Sequence, residues 1–178
     1  MKKEVRDCFV LAAKDEKKGK KHKGLLITKP DNKTAEGYIQ KAKANLQLSD
    51  FYKQKGFDYK IPEEWFYTLY YCALAILSKF GIESRSQKCT AFFLRYVKDN
   101  RLIEYEDDFI DRITVYSTKG EKSDVDERET ARYGSSITSK EIESKYNHMT
   151  DVCKKAISQA EDIVFSDKEF KVPKELYG

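Results

Sequence analysis

Across 178 residues, three prolines and eight glycines are too few for a disordered polymer or a turn-rich β-sandwich. Abundant Lys, Glu, Leu and Ala favour helices, so the composition predicts an all-α fold. A chain of this length folds as one domain that buries about 70% of its unfolded surface. Charged residues make up 36% of the chain, yet the formal balance is only +4, which excludes a strongly acidic or basic polymer. The charge is unevenly placed, because residues 1–33 hold eleven Lys or Arg against five Asp or Glu. That basic end can attract phosphates or an acidic partner.

In chain order, the pattern predicts a helix over about Lys3–Ala13, with Val5, Cys8, Phe9 and Ala12 on one side. The basic run Lys14–Lys23 then reads as a mobile loop, which leaves His22 exposed. Residues 1–30 form a basic N-terminal helix and loop arm. Pro30 and Asp31 begin a helix that reaches about Lys55, with Ala35, Tyr38, Ala42, Leu46 and Ser49 as its buried stripe and Gly56 as its stop. Pro62 starts the most apolar helix, in which Trp65, Phe66, Leu69, Tyr70, Ala73, Ile76, Leu77 and Phe80 make a wide core stripe. Gly81 ends it.

Ser84 and Ser86 are both suitable caps for a helix carrying Cys89, Phe92, Phe93, Tyr96 and Val97. Phe109, Ile110, Ile113 and Tyr116 mark a shorter element, the polar stretch Ser117–Ser123 interrupts, and Val125–Arg132 gives a second that ends at Tyr133 and Gly134. Thr138 and Glu141 match a capping box ahead of a last long helix with Ile142, Tyr146, Met149, Cys153, Ala156, Ala160 and Ile163. Residues 31–164 thus predict an antiparallel bundle of four to five main helices with short accessory ones. From Phe165 the periodicity lapses, and 165–178 reads as an exposed C-terminal extension, with Phe170, Val172 and Leu176 as the residues able to fold back.

Cys8, Cys72, Cys89 and Cys153 are far apart in sequence and form no CxxC pair. With no apolar leader, they read as reduced thiols of a cytoplasmic protein, Cys72 and Cys89 serving as small core side chains. No cofactor is expected, nor a metal, since His22 and His148 are the only histidines available to complete a zinc site. No apolar run approaches the roughly 20 residues of a bilayer span, so no membrane partner is expected.

Several segments resemble the HEPN superfamily, in particular its archaeal branch related to nucleotidyltransferase-associated HEPN proteins. The segment Trp65–Leu77, with the pair Tyr70 and Tyr71 followed by small residues and leucines, is similar to the second helix of HEPN proteins. Glu83–Thr90 resembles a loop and helix start of the archaeal subgroup, Arg128–Gly134 its Arg-x-x-x-x-Tyr-Gly segment, and His22–Leu25 leading to Pro30 and Asp31 its N-terminal arm. The similarity spans roughly residues 5–164. It implies a HEPN-like bundle that forms homodimers, and a minimal nucleotidyltransferase encoded next door as partner in a toxin–antitoxin-like pair.

The resemblance also implies a test. Active HEPN ribonucleases carry Arg-x4-6-His: the histidine moves a proton near neutral pH while the arginine binds the scissile phosphate. None of the arginines at 6, 85, 95, 101, 112, 128 and 132 is followed by a histidine at that distance. At the matching place Arg128 is followed by Tyr133, and with a reference pKa near 10 a tyrosine is a poor general base but a good hydrogen-bond donor or stacking surface. The expectation is therefore a non-catalytic partner that binds nucleotide or RNA through Arg128, Arg132, Tyr133, Tyr70, Tyr71, Ser84 and Arg85. The competing expectation is a divergent metal-independent ribonuclease using Arg128 with Tyr133 or His148.

Overall fold

The computed structural model is mostly helical and describes residues 1–114, 124–134 and 139–177, with only the backbone of 124–127 and 133. Tyr116, the stretch 117–123 and Thr138 of the expected capping box lie outside the described residues, as do the side chains of Val125 and Tyr133. The order is α1 (Lys2–Lys17), β1 (Leu25–Ile27), α2 (Asn32–Lys55), a 3₁₀ turn (Asp58–Lys60), α3 (Ile61–Lys79), β2 (Ile82–Ser84) and α4 (Gln87–Asp99). Then come α5 (Asp107–Arg112), α6 (Asp124–Tyr133), α7 (Ser139–Val164) and a second 3₁₀ turn (Lys174–Leu176).

The helix boundaries follow local chemistry. Asp31 accepts a hydrogen bond from the Thr34 amide at 2.9 Å and caps α2. At its far end Gly56 takes φ +73°, a left-handed turn that L side chains resist. Of the two serines offered as caps for α4, Ser86 is the one used, accepting from the Cys89 amide at 3.3 Å.

α3 is the central element, with Phe66, Leu69, Ala73, Ile76 and Leu77 all buried. α2 and α7 pack on it through small residues, Ala35 and Ala42 from one and Ala156 and Ala160 from the other, which lets the backbones come close. Among the described residues the result is a helical bundle, and no described helix is long and apolar enough to cross a membrane.

Three expectations need correction, and the all-α bundle carries one small addition, β1 paired antiparallel with β2 (Leu25 opposite Ser84, Leu26 opposite Glu83, Ile27 opposite Ile82). Three-residue strands are too short to announce themselves by alternation. Cys8 and Cys89 are not thiols but a disulfide, their Cα atoms 5.8 Å apart, within bonding reach once α1 lies against α4. Cys72 and Cys153 are buried free thiols.

The basic run is not a loose loop. α1 extends through Lys17, the Lys23 amide donates to Asp15 Oδ2 at 2.9 Å, and His22 is 5% exposed with Nε2 3.2 Å from Glu83 Oε1. Gly24 makes this possible: a Cβ there would stand 2.1 Å from the Cys8 carbonyl oxygen, so only glycine lets the chain run against α1. Finally, the C-terminal segment is not an exposed extension, since Phe170, Val172 and Leu176 are buried. The Phe170 ring lies 5.0 Å from that of Phe80, and the Tyr96 hydroxyl donates to Glu175. Phe170 and Val172 are two positions apart, the spacing of an extended segment with one buried side, which a search for helical periods passes over.

Candidate nucleic-acid interface

A row of aromatic rings runs along one face of α3 and across to α2. Tyr67, Tyr70 and Tyr71 follow helical spacing, so they emerge on adjacent turns of one side. Tyr71 stacks on Tyr38 of α2 with ring centroids 5.9 Å apart, and on Tyr67 at 5.9 Å; Tyr70 stacks on Phe66 at 5.8 Å. The four tyrosines are half-buried, each keeping part of its ring on the surface.

Two cations flank the row. Lys41, one turn beyond Tyr38, holds its ammonium 5.7 Å from the Tyr38 ring and 5.4 Å from the Tyr71 ring. Arg128 on α6 places its guanidinium carbon 4.4 Å from the Phe66 centroid and 5.7 Å from that of Tyr67. Such contacts fix a cation without neutralising it. Arg128 also lies 3.7 Å from Glu129, which is itself well exposed, so this ion pair is weak.

The row continues into a polar corner. Thr90 lies beside the Tyr70 phenol, and its hydroxyl stands 2.8 Å from that of Ser84. Burial raises the Tyr70 phenol above its ordinary range, with Thr90 opposing the shift, and burial likewise raises Tyr71. Both are neutral at physiological pH, a state in which a phenol can donate a hydrogen bond but is a poor base.

Beside this corner a groove of about 450 Å³ opens between α2, the end of α3 and β2, with Lys29, Tyr38, Ser84 and Arg85 on its walls. Two carboxylates in it are already engaged. Asp31 caps α2, and Glu83 accepts from Arg85 Nε at 2.7 Å while facing His22.

Of the residues singled out in the sequence, Arg128, Tyr70 and Ser84 are linked through Phe66 and Thr90, and Tyr71 joins them through Tyr67. Arg85 stands at the groove, turned to Glu83. Arg132 is exposed and reaches Glu63 at 3.2 Å. The side chain of Tyr133 lies outside the described residues, and His148 is exposed on α7. The sequence pattern assigns Tyr38 only to the core stripe of α2 and gives Lys41 and Tyr67 no site role. The sequence signal for them is a lysine three residues after a half-buried tyrosine on α2, meaningful only once α2 is known to lie beside α3.

Among the described residues, no three His, Cys, Asp or Glu side chains come together as a metal site would require. No protein-family model matches the chain, and no curated protein matches its sequence.

Proposed function

We propose that this chain is a non-catalytic HEPN-type binding protein that holds single-stranded RNA or a nucleotide on the tyrosine face, as a homodimer. Its partner is a minimal nucleotidyltransferase in a toxin–antitoxin-like pair. The observation that carries the binding reading is the row of half-exposed rings Tyr38, Tyr71 and Tyr67 between Lys41 and Arg128, whose guanidinium is anchored over the buried Phe66. Half-exposed rings stack on bases whatever their identity, and flanking cations meet the phosphates between them. A catalytic histidine is not needed for such work.

The test is fluorescence polarisation with a labelled single-stranded RNA ten nucleotides long, run beside a gel assay for cleavage. Tyr71→Ala and Arg128→Ala are each expected to weaken binding about tenfold, the value of one stacked base or one charge-assisted contact. Unchanged affinity in both would remove the tyrosine face from the proposal. Cleavage leaving 2′,3′-cyclic ends, abolished by Arg128→Ala, would replace binding with ribonuclease activity. Co-purification with the nucleotidyltransferase encoded beside the gene tests the partner, and failure to co-purify counts against it.

A further inference from the structure

β1 is hydrogen-bonded on one side only. In an antiparallel pair, alternate residues send both backbone groups to the neighbouring strand. Here Arg85 N donates to Gly24 O at 3.3 Å, Thr28 N donates to Gly81 O at 2.8 Å, and Leu26 stands opposite Glu83. Residues 24, 26 and 28 therefore face β2, and Leu25 and Ile27 turn their N–H and C=O groups to the opposite edge. No described residue hydrogen-bonds to those outward groups.

Along this edge runs a groove of about 330 Å³, walled by Phe9, Val10 and Ala13 of α1 and by Leu176 and Tyr177 of the returning C-terminal segment. Val10, Ile27 and Tyr177 are exposed apolar side chains. The single charged residue in the lining is Arg6, which no acidic side chain meets among the described residues.

We propose that this edge binds an extended peptide segment of a partner protein by strand addition, with its apolar side chains in the groove and an acidic residue against Arg6. Each part of the geometry selects that chemistry. Alternating outward N–H and C=O groups are matched by the backbone of another strand and by little else. An apolar lining disfavours phosphates, and an unopposed arginine favours a carboxylate. The site lies on the edge of the sheet away from β2 and so is separate from the tyrosine face.

The probe is a fluorescein-labelled heptapeptide, Glu-Asp-Val-Thr-Val-Thr-Val, titrated with the full chain and followed by polarisation. Ile27→Pro is the informative variant: it deletes an outward N–H but leaves the bonds of Leu26 and Thr28 to β2 intact. Saturable binding is expected, weakened about tenfold by Ile27→Pro and by N-methylation of the peptide's central valine. Arg6→Glu is expected to reverse the preference for an acidic over a lysine-substituted peptide. The methylated peptide keeps the test decisive even if the proline variant fails to fold. Equal binding of the methylated and unmethylated peptides overturns the proposal, as does absence of binding. So does a dimer of the chain that Ile27→Pro alone dissociates, since that would give the edge to a second copy. RNA binding is unaffected by either variant, so the two sites fail or stand separately.

Discussion

Arg128 illustrates how one residue's role depends on what lies beneath it. On the sequence it is a cation followed by a tyrosine; in the fold its guanidinium rests over Phe66, whose other neighbours are Tyr70 and Tyr67. Its Ala substitution therefore removes both charge and packing, and a thermal melt must accompany the binding measurement. Glu64 offers a cleaner single-residue test. It is buried at the α2–α3 contact and accepts from Asn45, and desolvation raises its carboxyl above the ordinary range. A raised folded value means that the ionised form is penalised by folding. The penalty is absent below the unfolded carboxylate value of about 4.3, grows as pH rises, and is complete above the folded value. Glu64→Gln keeps an acceptor for Asn45 and is expected to raise Tm by roughly 2 °C at pH 7, with the gain fading toward pH 4. A gain that grows on acidification would contradict this assignment.

Between elements, the Cys8–Cys89 disulfide and Gly24 do related work, holding α1 and the strand β1 against the rest of the bundle. The bond spans 81 residues of sequence, so it restricts the unfolded chain strongly and should contribute about 3–4 kcal/mol. Urea unfolding with and without reductant measures it, and thiol titration of the denatured protein should find two reactive groups before reduction and four after. Four thiols at the outset would show that the bond does not form. At Gly24 an added methyl meets backbone, not a flexible side chain, so it cannot be accommodated without moving β1 from α1. Gly24→Ala is expected to destabilise by about 2 kcal/mol, seen as a lower urea midpoint. Because His22 sits two residues away and pairs with Glu83, loosening this junction also disturbs one wall of the 450 Å³ groove.

At the scale of the whole molecule, the small net charge conceals a sorted distribution. The formal +4 gives little long-range attraction, so binding of RNA would depend on cations placed locally, Lys41 and Arg128 at the rings with Lys29 and Arg85 at the groove. With two to four phosphates met, log affinity should fall against log salt with a slope of about −1.5 to −3 for single-stranded RNA. A flat salt response would leave stacking without phosphate contacts and argue for a free base or nucleoside as ligand. Peptide binding at the β1 edge rests mainly on backbone bonds and apolar contact, and should respond much less to salt.

What the amino-acid order determined by itself was local. Helical periods and caps located the long helices, and α2 ends at Lys55 as Gly56 required. The stripe Trp65–Phe80 became the centre of the core, and the i, i+3 and i+4 spacing of Tyr67, Tyr70 and Tyr71 already put them on one side of α3. Tertiary structure decided whatever depends on two distant segments meeting. Only the packing of α1 on α4 turns Cys8 and Cys89 into a bond, and only β1 beside β2 buries His22 against Glu83. Likewise, only the return of the C-terminal segment buries Phe170, Val172 and Leu176 and walls the groove beside β1. The reason is the range of the forces involved. Caps and helical periods are set by neighbours within about four residues, whereas a disulfide, a strand pair or a stacked row joins residues that the chain keeps apart until it folds.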